Sequence, residues 1–267
     1  MNTRILLIFF VLLVTVLAFS EVMSEGNLDE KLQKPISLVD VKTVKHPPIR
    51  IGEKLTYRVK IGWAPVGQRI DYISKKTIIQ DEPIYHITSS AKTGALVSFY
   101  RFKSLQYTYL NLEKLQPIRF RNQLQDKKYS AIVEINFNDG KAEYNKKSQV
   151  NSKAPQKQDV KTIEIPTGTQ DELSMVYFLR CKEIIPGSTY YFPMISKGKV
   201  VKVELKVTHG EQMKAKGLGK VNTLMVQTSN GSRLWLTDDI FRLPIRIEFD
   251  TKIGKTTAEL TKREIVR

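Results

Sequence analysis

Three histidines, one cysteine and two adjacent aspartates are the residues here best suited to chemistry, and their spacing limits what they can do. His46, His86 and His209 stand far apart, and none has a second ligand at helical or hairpin spacing, so they do not spell a zinc site. No Gly-x-Ser-x-Gly elbow, phosphate loop or dinucleotide fingerprint is present, and no cofactor or metal is expected. Asp238 and Asp239, with Arg242, follow the segment around Trp235 and admit two readings. As paired carboxylates they could bind calcium or, with His86, serve as acid and base. As turn formers they would accept backbone N–H bonds, with Pro244 starting the next strand and Arg242 neutralising them. The turn reading is preferred. Asp171 and Arg180 sit at the two ends of a helical pattern, where an acid and a base complement the helix dipole. Cys181 is the lone cysteine, which rules out an intramolecular disulfide or a multi-cysteine metal site and reads as a packed thiol. Aromatic side chains form the remaining candidate site. Tyr100, Phe102, Tyr107 and Tyr109 in one stretch and Tyr191 in another could line an apolar groove between sheet and helix, taking an acyl chain or sugar ring. Core packing is the competing reading of the same residues.

The elements that would position these groups are mostly strands. In EKLTYRVKI, Leu55, Tyr57, Val59 and Ile61 alternate with Lys54, Thr56, Arg58 and Lys60, a period of two that buries one face. The same alternation recurs at 68–79, 84–92, 97–110, 118–124 and 129–137. Asp139-Gly140 then supplies a hairpin turn. After residue 187, strands are predicted at 188–195, 199–208, 220–228, 232–237, 244–250 and 255–262. One helix interrupts them at about 169–185. Thr169 and Glu172 have capping-box spacing, Leu173, Val176, Tyr177, Cys181 and Ile184 keep helical period, and Pro186-Gly187 stops it. Met175, Phe178 and Leu179 make its face so wide that it must be covered on most sides. The expected fold is therefore mainly β: a curved antiparallel sheet closed into a barrel or β-roll around one buried helix. Residues 145–161 are polar and Lys-rich and read as a mobile surface loop within a single domain spanning 51–267.

The N-terminus sets the compartment. Arg4 precedes the apolar run Ile5 to Phe19, short for a membrane span and right for a signal peptide, with Ala18 and Ser20 at the cleavage positions. The expected parts are a signal peptide at 1–20 and a flexible arm at 21–50; the alternative is an uncleaved anchor that would be the chain's one membrane contact. Either way the body lies outside the cytoplasm, in the periplasm or beyond, which excludes nucleic acid as a partner. Lys and Arg number 43 against 27 acids, a net charge of +16. That excess suits a lipid headgroup, an anionic glycan or an acidic envelope protein, or it simply solubilises outer strand faces.

The order GEKLTYRV (52–59), Val66-Gly67, Asp171-Glu172-Leu173-Ser174 with Tyr177 and Arg180, Pro186-Gly187 and LWLTDDIFRLPIRI (234–247) resembles the domain-of-unknown-function 3108 family over roughly residues 50–262. The resemblance implies a secreted or periplasmic bacterial β protein and brings no catalytic residues with it. Three functions remain open: a non-catalytic binder of lipid, glycan or envelope protein, which is preferred; a hydrolase or transferase of envelope polymer; and a structural accessory that pairs an exposed sheet edge with a partner strand.

Overall fold

A computed structural model describes residues 34–45, 47–79, 82–94, 101–251 and 254–266. The proposed signal peptide, the first part of the arm, His46 and Tyr100 lie outside the described residues. A two-residue strand β1 (Ile36–Ser37) precedes a meander of β2 (Glu53–Ile61), β3 (Ala64–Ile79), β4 (Glu82–Thr93), β5 (Phe102–Asn111), β6 (Gln116–Asp126), β7 (Tyr129–Asn138), β8 (Lys141–Gln149) and β9 (Lys157–Glu164). The helix α1 (Ser174–Cys181) follows. A second meander runs through β10 (Thr189–Ser196), β11 (Lys199–His209), the hairpin β12 (Met213–Ala215) and β13 (Gly219–Val221), then β14 (Thr223–Thr228), β15 (Arg233–Thr237), β16 (Pro244–Thr251) and β17 (Gly254–Ile265). Apart from the β12–β13 hairpin, these strands make one sheet, ordered β1-β10-β11-β14-β15-β16-β17-β2-β3-β4-β5-β6-β7-β8-β9. The two meanders join where β17 pairs antiparallel with β2, with Leu260 opposite Tyr57.

The alternation read in β2 fixes which face goes in. Leu55, Tyr57 and Val59 are buried, and the sheet coils round α1, all eight of whose residues are buried. Phe178 meets Phe192 of β10 with ring centroids 5.7 Å apart. Between the helix and β11–β16 little space is left among the described residues. The void among Met175, Leu179, Leu205, Val226 and Ile247 is about 20 Å³, room for one water at most. No groove for an acyl chain opens there.

Closure differs from expectation. Among the described residues β9 and β10 do not pair, so the sheet is a barrel-like roll not closed by strand hydrogen bonds. Two contacts substitute. Gln170 donates its N–H to Pro193 O and accepts from Ile195 N–H, both at 2.9 Å, laying the segment after β9 along β10. The Lys197-Gly198 turn of the β10–β11 hairpin presses on Tyr144 of β8, where a Cβ on Gly198 would lie 2.9 Å from the ring.

Three local readings also change. Residues 145–161 are the outer half of a β8–β9 hairpin rather than a loop; an edge hairpin buries so little that its sequence carries no apolar period. The arm from residue 34 onward is docked: β1 pairs parallel with β10, Leu38 is fully buried, and Lys182 Nζ donates to Val39 O and Val41 O at 2.9 and 2.7 Å. The helix is shorter than 169–185, because Asp171 rather than Thr169 caps it. Asp171 Oδ1 accepts the N–H groups of Leu173 and Ser174, both at 2.8 Å, and Ser174 Oγ accepts the N–H of Asp171 at 2.9 Å. Thr169 is occupied elsewhere, donating to Pro166 O at 2.6 Å.

Gly198 and Gly140 both have positive φ, +74° and +70°, so alanine at either bears the left-handed cost of about 1–2 kcal/mol. Only Gly198 also abuts a ring; nothing lies within 4 Å of a Cβ at Gly140. In urea melts, Gly198→Ala should lose more stability than Gly140→Ala. Equal losses would show that the hairpin tip does not hold the roll shut.

Candidate functional site

The residues singled out in the sequence do not converge. Phe102 points into the roll with Ala91, Leu124 and Ala131, whereas Tyr107 and Tyr109 project from the opposite face of the same strand. There they flank His86, with ring centroids at 5.8 and 4.8 Å, and Ser74 Oγ sits 2.7 Å from His86 Nδ1. Burial, aided by Lys75, lowers the pKa of His86. Tyr191 is far round the sheet on β10, under Lys202 Nζ at 4.4 Å. Asp239 builds a turn: its Oδ1 accepts from Thr237 Oγ1 at 2.7 Å, Phe241 N at 2.8 Å and Arg242 N at 3.1 Å. Asp238 and Asp239 are exposed, and three strands separate β16, which leaves that turn, from the His86 strand β4. Trp235 is buried, with Arg246 5.3 Å over its ring. Cys181 is fully buried, and burial pushes its thiol up to about 12, so it is protonated at neutral pH. Among the described residues no three His, Cys, Asp or Glu side chains gather as a metal site.

What the roll does bring together is a set of buried charges. Arg180, in the last turn of the helix, reaches Glu53 Oε2 of β2 at 2.8 Å with both side chains essentially inaccessible. Its Nη2 donates to Pro48 O at 2.9 Å and Phe241 O at 3.3 Å. Arg263 of β17 reaches the other Glu53 oxygen at 3.2 Å. One layer along, Arg69 grips Asp71 through two bonds of 2.8 and 3.0 Å, near Tyr57 and Tyr177. Burial, then the Asp71 charge, raises both phenols, so both stay protonated. Sequence parity held a signal for part of this set: Glu53 is in phase with buried Leu55, and Arg69 and Asp71 are in phase with buried Ile73. Arg263 was hidden by a bulge between Leu260 and Lys262.

A cleft of about 530 Å³ opens at one end of the roll; of its residues, Asp139, Gly140 and Thr169 were expected only as turn and cap formers, and none as a binding group. Three chain segments build it. In the β5–β6 turn, Asn111 Oδ1 accepts the N–H groups of Glu113 and Lys114 at 2.9 and 3.0 Å, while Asn111 Nδ2 and Lys114 Nζ both bond the Glu82 carboxylate. In the β7–β8 turn only Gly140 takes positive φ. Its carbonyl accepts Ile165 N–H at 2.9 Å, which sets residues 165–169 as the third wall. Gln170 Nε2 ties that wall back to Leu115 O at 2.9 Å. Asn138, Thr167 and Gln116 offer amides and a hydroxyl over a floor that includes Ile118 and Phe137, beside Glu82, Lys114 and Asp139. The Glu82 bond raises the pKa of Lys114, which stays cationic.

Below that wall, Asp171 is wholly buried. It accepts the Thr108 hydroxyl at 2.7 Å besides its cap bonds, yet burial outweighs them and raises its pKa to about 6. Burial and Asp171 together push Glu172 to about 8, against Lys197. Glu172 keeps partial exposure, so water screens its share of any stability effect.

Fold and cleft define a mainly β, barrel-like protein with a helix-filled interior and a polar recess at one end. The chain belongs to the family described as protein of unknown function (DUF3108), whose pattern matches residues 56–261. No curated protein matches. Among solved structures it is similar to the beta-barrel-like protein of domain of unknown function DUF1849 from Brucella abortus, at 12% identity and TM-score 0.52, covering 82% of this chain and all of that one. That likeness concerns the fold alone.

Removing one partner of a buried ion pair strands the other charge, so Glu53→Gln should cost about 3–5 kcal/mol in urea unfolding. A loss under 1 kcal/mol would mean that water or another group serves Arg180. For Asp171 the folded pKa of about 6 lies above the ordinary 3.8, so the protonated form is favoured in the folded state. Its contribution is greatest below pH 3.8 and is lost as pH rises through 6, by about 3 kcal/mol at 1.4 kcal/mol per unit. Asp171→Asn, which can still cap, should flatten that decline between pH 4 and 7. An unchanged slope would assign it to other groups.

Proposed function

We propose that this is an exported bacterial cell-envelope protein that binds an uncharged glycan in the end cleft and performs no chemistry on it. The observation that carries this reading is the make-up of the cleft. Amide and hydroxyl groups of Asn138, Gln116 and Thr167 suit sugar hydroxyls, and the apolar floor at Ile118 and Phe137 suits the C–H face of a sugar ring. The cleft carries two carboxylates, Glu82 and Asp139, against one ammonium, Lys114, which disfavours an anionic polymer there. Export is supported by the Arg4 and Ile5–Phe19 leader with its small residues at Ala18 and Ser20. A non-catalytic role is supported by the separation of Asp238, Asp239 and His86. A lipid beside the helix is disfavoured, because the void between α1 and β11–β16 is only about 20 Å³.

Two measurements test the proposal. In NMR titrations with neutral oligosaccharides of three to six hexose units, shifts should concentrate at residues 111–116, 138–141 and 165–169. Asn138→Ala with Thr167→Ala should weaken binding about 10-fold or more without lowering the melting temperature, since both residues are exposed. No shift in those three segments would sink the glycan reading. The intact mass of protein isolated from the periplasm should begin at Glu21; recovery from the cytoplasm would sink export.

A further inference from the structure

The two borders of the sheet are unlike. At one, β10 is covered by the short β1 and by Gln170. At the other, β9 presents eight regular residues, pairs β8 without a register shift, and contains neither proline nor glycine. Natural edges block pairing with bulges, proline, short strands or charged side chains, and of these β9 has only its charges. Ile165 N–H donates to Gly140 O, and Lys141 stands opposite Glu164, so the odd-numbered residues of β9 turn their backbone groups to β8. Gln158, Val160, Thr162 and Glu164 therefore point theirs outward, and no partner for these groups is found among the described residues.

From this edge we infer that two copies of the chain pair β9 with β9, antiparallel about a twofold axis at Val160. Parity narrows the registers. Only an even residue opposite an even residue can exchange backbone bonds, because odd ones face β8. Among registers near the strand centre, one places Asp159 opposite Asp159 and Lys157 opposite Lys161, and another places Lys161 opposite Lys161. Both set like charges face to face, which is unfavourable. The register through Val160 sets Asp159 opposite Lys161 twice, Gln158 opposite Thr162, and Val160 opposite Val160. Asp159 and Lys161 are already an ion pair within one strand at 2.9 Å, so pairing joins two dipoles into a four-charge ring. Val160 is 66% exposed in the single chain and gains an apolar neighbour. Lys161, which would otherwise repel a second strand, thus becomes the residue that selects one.

The test uses protein isolated from cells expressing the full chain. Sedimentation from 1 to 200 µM should show monomer giving way to dimer. Asp159→Lys and Lys161→Asp should each stay monomeric and folded by circular dichroism, and mixing the two should restore the dimer, since opposite charges then face one another. Val160→Cys should form a disulfide-linked dimer under mild oxidation while Gln158→Cys should not, because Gln158 faces Thr162 and native Cys181 is buried. A wild-type chain that is monomeric throughout overturns the inference. So does a dimer that survives both charge reversals or fails to cross-link at Val160, which would have formed through another surface.

Discussion

Arg180 puts a full positive charge in the middle of the roll, and much of the architecture answers that charge. A guanidinium with no solvent contact is tolerable only if an anion and further acceptors meet it. Glu53 supplies the anion from β2, the carbonyls of Pro48 and Phe241 supply acceptors, and Arg263 of β17 shares Glu53. The helix is thereby tied to the line where the two meanders meet. Sliding α1 by one turn, about 5.4 Å, would leave the charge among apolar side chains, so the ion pair fixes register more than it adds stability.

Around that anchor the interior divides. On the side of β10 to β16 the helix rests on Phe192, Leu205, Val226, Leu234 and Ile247, a dry apolar layer. On the side of β3 to β6 the lining includes Arg69, Asp71, Ser89, Gln106 and Asn122, all buried. Polar linings of this kind are costly unless internally bonded, as Arg69 with Asp71 and Ser104 with Asn122 are. The 530 Å³ recess lies instead at an end of the roll, where turns rather than strands make most of the walls.

Strand alternation made most of the sheet legible, because strands such as β2 and β11 turn an apolar face inward and a charged one outward. Helix limits were less so. Thr169 with Glu172 and Asp171 with Ser174 both have capping-box spacing, and the choice fell to the second because Thr169 closes a turn on Pro166. The outer half of the β8–β9 hairpin, 145–161, was invisible for lack of burial, and the docked arm because its anchors, such as Lys182 on Val39 O, are backbone acceptors that any residue would provide. The cleft was hidden for a third reason. Its walls come from turns near residues 113, 139 and 167, whose Asn, Asp, Gly and Thr are what any turn would use.

The pairing of β2 with β17 joins residues about two hundred positions apart, Tyr57 with Leu260. Neighbouring hairpins of the first meander can zip locally as they are made, but the central ladder, and the Arg263 contact with Glu53, waits for β17. Contacts of such span are slow to form. Before β17 pairs, β2 lacks one of its two neighbours and Glu53 lacks Arg263. If the proposed export holds, such a delay suits it, because a chain whose ladder closes late stays threadable through a narrow pore for longer.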